Sequence, residues 1–203
     1  MVALSTDKAS SPINLYGATK LTADKLFIAG NNYAHAQDTR LAVVRYGNVM
    51  GSRGSVVPFF RQKMAAGEPL PITDERMTRF WITLDQAVAF VVDSFDRMNG
   101  GELYVPRIPS MKLTDLIEAI APGYPTVTLG IRPGEKLHEE MISPDDSHRT
   151  FRQDDRYVVT PTIADWGFTP VDGEQVPVGF SYRSDTNDLW LTQAELRTIL
   201  GIG

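Results

Sequence analysis

No cysteine occurs in the chain, which excludes disulfides and thiolate metal sites. Histidine is nearly as scarce, at three residues. His35 and His148 have no partner at ligand spacing, and His138-Glu139-Glu140 lacks the second histidine of a His-Glu-x-x-His zinc helix, so no metal site is expected. Long apolar runs are absent too. The longest, Ala87 to Val92, falls far short of the about 20 residues that span a bilayer. Met1 to Lys8 lacks the charged segment and apolar core of a signal peptide, so a cytoplasmic protein with no membrane partner is expected. Nor is there an excess of positive charge. Twenty Lys and Arg face 25 Asp and Glu, a formal net charge of −5, which argues against a dedicated nucleic-acid binder.

What is present is ordinary globular material, 203 residues with 42% hydrophobic and 22% charged side chains, enough for one domain or two small lobes. Val2-Ala3-Leu4 reads as the end of a buried strand. Ser10, Ser11 and Pro12 give a helix-start signal, and Ile13, Leu15, Leu21, Leu26 and Phe27 suggest a helix ending near Gly30-Asn31-Asn32. Leu41 to Val44 is a continuous apolar run of the kind buried in a parallel sheet. Ser55 and Asp85 are expected caps for helices reaching Gly67 and Met98. A strand at 103–105, a helix at 111–120 and a strand at 127–131 follow, and Thr192 with Glu195 forms a capping-box pattern. Residues 144–190, rich in Asp, Pro and Gly, are expected to be loops. Strands alternating with helices make the class α/β.

Two short segments carry chemistry. Tyr16 and Lys20 are four apart, which on a helix puts both on one face, one turn apart. An ammonium near a phenol favours phenolate, a base able to take a proton from a sugar hydroxyl. With seven tyrosines in the chain, a chance surface pair outweighs the functional reading for the motif alone. Thr6-Asp7-Lys8 stands at a strand end, where α/β sheets place active sites, and sets a hydroxyl, a carboxyl and an amine side by side. A solvated loop is the plain alternative.

In order along the chain, these segments, Arg45-Tyr46-Gly47-Asn48-Val49, Arg53 to Phe60, Arg76 to Ile82, Ile131 to Glu139 and Tyr182 to Leu191 resemble the extended short-chain dehydrogenase/reductase family. Within it they resemble most the inverting UDP-N-acetylglucosamine 4,6-dehydratases of pseudaminic-acid biosynthesis. Tyr16 is similar to the inverting kind rather than the retaining kind, which carries Met there. Lys8 differs from the Glu of dTDP-glucose dehydratases, and simple 4-epimerases lack the acid–base pair. The resemblance implies a Rossmann-type fold with a small mixed α/β substrate lobe, NADP as cofactor and a UDP-sugar substrate. It implies catalytic roles for Thr6, Asp7, Lys8, Tyr16 and Lys20, and cofactor contacts from Tyr16, Lys20, Tyr46 and Asn48. Substrate contacts are implied for Asn48, Val49, Arg53, Gly54, Ser55, Val56, Val57, Arg132 and Glu135. Arg53 and Arg132 suit a diphosphate and Glu135 ribose hydroxyls. For Arg76 and Arg79 salt bridging is at least as good an account, and Phe80 and Trp81 fit a core better than a uracil stack. The family commonly forms homo-oligomers.

The Gly-x-Gly-x-x-Gly turn that cradles the dinucleotide in this family does not precede Ser5, and Gly47 to Gly54 has the wrong spacing for it. Residues 1–50 are therefore expected to be the part of the dinucleotide domain that holds the catalytic helix. Residues 51–203 are expected to form mainly the substrate lobe, with short returns to the main sheet. Little or no catalysis is expected of these residues alone. A UDP-sugar-binding lobe without turnover, and a related UDP-sugar epimerase or reductase, are the alternatives; nucleotide binding and product mass separate them.

Overall fold

The computed structural model describes residues 1–52 and 55–202, with the His35 side chain left aside. The elements run β1 (Val2–Thr6), a 3-10 turn (Asp7–Ala9), α1 (Leu15–Ala34), β2 (Ala42–Tyr46), β3 (Asn48–Val49), α2 (Val56–Ala65), β4 (Leu70–Ile72), β5 (Thr78–Ile82), α3 (Leu84–Arg97) and β6 (Leu103–Pro106). They continue with β7 (Ser110–Lys112), α4 (Leu113–Ile120), β8 (Thr126–Thr128), β9 (Glu140–Ile142), a 3-10 segment (Pro144–Arg149), β10 (Thr150–Arg152), β11 (Arg156–Val159), β12 (Glu174–Gln175), β13 (Tyr182–Arg183) and α5 (Gln193–Ile199). The chain divides into two compact units. The first is Met1–Gly47, Asp85–Arg107 and Glu140–Arg183; the second is Asn48–Leu84, Ile108–Glu139 and Ser184–Gly203.

The first unit is built on a six-stranded sheet in the order β1-β2-β6-β11-β10-β12. β1, β2 and β6 are parallel, with α1 as the crossover between the first two, and β11 and β10 add antiparallel strands. This is the expected α/β, Rossmann-type arrangement. Ala42, Val44, Phe90, Met98, Tyr104 and Val158 form a core cluster, as the apolar run at 41–44 leads one to expect. β1 is less enclosed than expected, with Leu4 51% exposed at the end of the sheet.

Several local expectations need correction: the helix expected at 111–120 begins at Leu113, after β7, and the strand expected at 127–131 is Thr126–Thr128. α1 starts at Leu15, after Pro12, because Asn14 caps it: its Oδ1 accepts from Gly17 N at 2.8 Å. The helix also runs past Gly30-Asn31. Asn31 is buried inside it, donating to Leu41 O and accepting from Leu41 N, so the side chain joins the helix to β2 instead of ending it. Finally, 144–190 is not all loop. β10 and β11 are sheet strands, and the charge that disguises β11 is Arg156, buried against Asp93 and Asp155 with its guanidinium 4.8 Å from the Phe90 ring centre.

The second unit packs α2, α4 and α5 with the small sheets β3-β5-β7 and β4-β8 around Phe60, Leu70, Ile72, Met77, Trp81, Met111, Leu116 and Leu196. The Thr192–Glu195 capping box is present in both directions. Ser55 stands at the N-cap of α2 but makes no side-chain cap bond, and Asp85, expected as a cap, lies inside the first turn of α3 as its second residue.

Candidate active site

In the first unit, extended backbone at Thr6 delivers the chain from β1 into a single 3-10 turn. Thr6 Oγ1 accepts from Lys8 N at 3.4 Å and donates to Asp7 Oδ1 at 2.9 Å, while Lys8 Nζ donates to the same oxygen at 3.0 Å. Asp7 is 1% exposed, and its Oδ2 is buried with no hydrogen-bond partner among the described residues. A carboxyl this buried keeps one oxygen available to a donor from outside the described residues. The turn is anchored behind by Ser10 and Ser11, whose hydroxyls both donate to Glu140 Oε1 at 2.8 and 2.7 Å. Ser11 pays for this with a left-handed φ of 40°.

Gly17 brings α1 onto this turn: a Cβ there would meet the Lys8 carbonyl oxygen inside van der Waals contact and Pro12 Cβ at 2.9 Å. The motif glycine thus lets the helix that carries Tyr16 and Lys20 pack onto the Thr6-Asp7-Lys8 turn. Tyr16 is 54% exposed, and Lys20 Nζ donates to Leu4 O at 2.9 Å. At the end of β2, burial raises the phenol of Tyr46 above its ordinary value, so it stays protonated at neutral pH.

The second unit holds a cavity of about 460 Å³. Asn48, Val49, Ser55, Val56, Arg132 and Glu135 line it, six positions singled out from sequence. Val57 does not: it is 4% exposed and packs in the core, because the turn of α2 carries it inward. Arg53 and Gly54 lie outside the described residues. Arg132, Pro133, Gly134 and Glu135 form a turn closed by Glu135 N donating to Arg132 O at 3.0 Å, with Gly134 at φ 78°, the pattern of a type II turn. Both charged ends of the turn thereby meet the cavity. Glu135 Oε1 lies 3.7 Å from Arg79, and its Oε2 is buried without a partner among the described residues.

Sequence reading missed Met77 as a lining residue, weighed Arg79 between substrate contact and salt bridging, and left Trp81 to the core, where it is 4% exposed yet also borders the cavity. The alternation of Met77, immediately before β5, with Arg79 and Trp81 in it was the available signal, since alternate residues of extended chain share a face. Arg79 also holds the loop beyond the turn, donating to the carbonyls of Lys136 and Leu137 at 3.0 and 3.1 Å. Arg76 does not line the cavity. It forms a two-point pair with Asp74, whose carboxyl that guanidinium holds down to about 2. Phe80 is fully buried. His138 Nδ1 is 2.8 Å from Thr78 Oγ1, and no group of three metal-ligating side chains exists among the described residues. No helix among them is long and apolar enough to cross a membrane.

With this geometry in place, comparison is decisive for the family. The family model described as "Polysaccharide biosynthesis protein" matches residues 1–161. The chain belongs to this family. It is 54% identical, over 98% of its own length, to the UDP-N-acetylglucosamine 4,6-dehydratase (inverting) of Campylobacter jejuni, and spans 62% of that protein. The resemblance read from the motifs is thereby borne out. The X-ray structure of Pen from Bacillus thuringiensis superposes on the whole chain with a TM-score of 0.86 at 32% identity, over 61% of its own length. More distant, at 34% identity over 98% of this chain and 60% of the relative, is the UDP-glucose 4-epimerase of Rickettsia canadensis. The chain thus spans about three-fifths of the relatives it matches.

Proposed function

We propose that these residues carry the proton-transfer station and the sugar-nucleotide lobe of a UDP-N-acetylglucosamine 4,6-dehydratase, a lyase that inverts C5 in nucleotide-sugar biosynthesis. The observation that carries the reading is the hydrogen-bonded Asp7–Lys8 pair at the carboxyl end of a parallel strand. An epimerisation has no water to eliminate and no use for such a pair.

The first unit fits a nicotinamide dinucleotide in its donor set. An ammonium has three donors, and Lys20 commits one to Leu4 O, which leaves two for ribose hydroxyls, beside the half-exposed phenol of Tyr16. Tyr16, Lys20 and Tyr46 are the residues of this unit proposed to hold the cofactor, Asn48 keeping its proposed role on sequence grounds; the cofactor is taken as NADP, which when bound supplies hydride acceptance from C4 and its return at C6. Tyr16 takes the C4 hydroxyl proton. The C4 ketone then makes the C5 proton acidic, and Lys8, as the free amine, removes it. Asp7, as the free acid, protonates the departing C6 hydroxyl. One proton passed from Lys8 to Asp7 along their 3.0 Å contact produces both required forms at once. Thr6 orients Asp7 Oδ1 and holds the C4 oxygen after its hydroxyl rotates. A solvent-exchangeable proton delivered to C5 from the opposite face inverts it, and Tyr16 releases the C4 proton to solvent, which closes the count.

The cavity of the second unit is assigned to the UDP moiety. Arg132 meets the diphosphate and Glu135 Oε2 accepts from the ribose, with Asn48, Val49, Ser55 and Val56 along the wall. Arg53 and Gly54 keep their proposed substrate role on sequence grounds. A cytoplasmic location and a homo-oligomeric assembly belong to the same proposal. The exposed apolar side chains Leu15, Leu26 and Tyr33 on α1, with Val88, Val92 and Phe95 on α3, offer surface for assembly, which light scattering measures.

Epimerase relatives make a UDP-sugar 4-epimerase the second reading. Mass spectrometry of the product from UDP-N-acetylglucosamine and NADP separates the two. Dehydration gives a product lighter by one water, and Asp7→Asn should suppress it. A product of unchanged mass converted at C4, or full water loss by Asp7→Asn, overturns the proposed mechanism.

A further inference from the structure

The first unit contains a buried ion pair that the proposed chemistry does not use. Asp24, on α1 one turn beyond Lys20, and Arg45, on β2 just before Tyr46, are 3% and 2% exposed. Asp24 Oδ2 accepts from Arg45 Nη2 at 2.9 Å and from Ser5 Oγ at 2.9 Å. Arg45 Nη1 donates onward to Met141 O at 2.8 Å, and the neighbouring Glu140 receives Ser10 and Ser11.

A buried pair of this kind is poor evidence for stability, because desolvating two charges costs about as much as their attraction returns, and apolar replacements of similar volume are often neutral. What apolar side chains cannot do is fix register. The three groups that meet at Asp24 Oδ2 come from β1, which leads into the Thr6-Asp7-Lys8 turn, from α1, and from β2, which carries the proposed cofactor contact Tyr46. Ser5 immediately precedes Thr6-Asp7-Lys8, Asp24 shares its helix with Tyr16 and Lys20, and Arg45 leads into Tyr46. The Ser5–Asp24 bond is also the rung next to the Lys20 Nζ–Leu4 O bond, one residue along the strand and one turn along the helix.

We propose that Asp24 is a positioning residue: with Ser5 and Arg45 it locks α1 against β1 so that the Lys20 ammonium stays on the Leu4 carbonyl, in register with Thr6-Asp7-Lys8. The catalytic meaning of this lock rests on the function proposed above; the lock itself does not.

The test uses the isotope-labelled chain and reads proton exchange of the Lys20 ammonium by NMR, in the cold and at mildly acidic pH, with Lys20→Arg giving the assignment. Asp24→Leu combined with Arg45→Met replaces the pair by apolar volume, and Ser5→Ala trims a single hydroxyl. Both are expected to speed Lys20 ammonium exchange at least tenfold, the double variant with a melting temperature within a few degrees of the parent. Exchange within twofold of the parent in the folded variants would overturn the proposal. If the double variant does not fold, Ser5→Ala decides by the same readout. Where water elimination is measurable, kcat should fall about tenfold with KM changed less than twofold. Absence of elimination in the parent chain counts against the proposed function and leaves the exchange result standing.

Discussion

Replacing Gly17 by alanine perturbs the proposed centre through a single methyl group. In an open helix the change would be favourable by about 1 kcal/mol, because alanine loses less backbone freedom than glycine. Here the methyl would run into the Lys8 carbonyl oxygen and sit 2.9 Å from Pro12 Cβ. One obstacle is main chain and the other a proline ring, so neither can swing aside. Relief requires α1 to lift from the Thr6–Lys8 turn by on the order of 1 Å, a misplacement that costs about 10²-fold in rate. Overpacking costs about 1–3 kcal/mol, and subtracting the helix gain leaves a net loss of ~0–2 kcal/mol, a few degrees of melting temperature at this size. The expected result is therefore a folded protein with water elimination reduced about 100-fold. Gly30→Ala is the control, because its methyl meets only Leu41 Cδ1, the tip of a flexible side chain, at 2.7 Å. Calorimetry and product mass spectrometry on the two variants supply the comparison. If Gly17→Ala turns over as fast as Gly30→Ala, the close approach of helix and turn has no role in catalysis and the reasoning fails.

Arg45→Met alone leaves Asp24 buried without its countercharge and should cost about 3–5 kcal/mol in urea unfolding, whereas pairing it with Asp24→Leu should recover most of that. Asp146 is partly buried, which pushes its carboxyl up, but the Arg149 guanidinium bonded to it more than offsets this and holds it below the usual range. A depressed folded-state value stabilises the protein above the unfolded value near about 4 and is lost as pH falls through the folded one. Urea midpoints should accordingly show a gap between the parent and Asp146→Asn that is constant above about pH 5 and closes in acid; a gap that widens in acid refutes the assignment. Glu135→Ala should weaken UDP binding by about 10- to 100-fold, the range for a lost hydrogen bond to a charged group, as read by titration calorimetry. Unaltered affinity would remove Glu135 from the site.

Legibility in the sequence followed local physics. The buried run at 41–44, the Tyr16–Lys20 spacing and the Thr192–Glu195 box are each decided by neighbours in the chain, and each appears in the structure where expected. β10 and β11 were hidden because their strand character depends on partners far away. Arg156 looks like a surface charge until Asp93, Asp155 and the Phe90 ring are placed around it. Asn31 misled for the same reason, reading as a helix stop until Leu41 takes both ends of its amide. At the candidate site, residue types and order were readable. What sequence could not give was the burial of Asp7, the anchoring of Glu135 by Arg79, and the network through Asp24, all of which depend on three-dimensional packing.

The central claim, elimination of water by the Asp7–Lys8 pair, is tested most directly by incubating the chain at stoichiometric concentration with UDP-N-acetylglucosamine and NADP in deuterated water, so that slow turnover still registers, and weighing the sugar nucleotide. The account predicts a product lighter by one water that carries solvent deuterium at C5, and none from Asp7→Asn. A product of the original mass, converted at C4 alone, would contradict it and make the chain part of an epimerase.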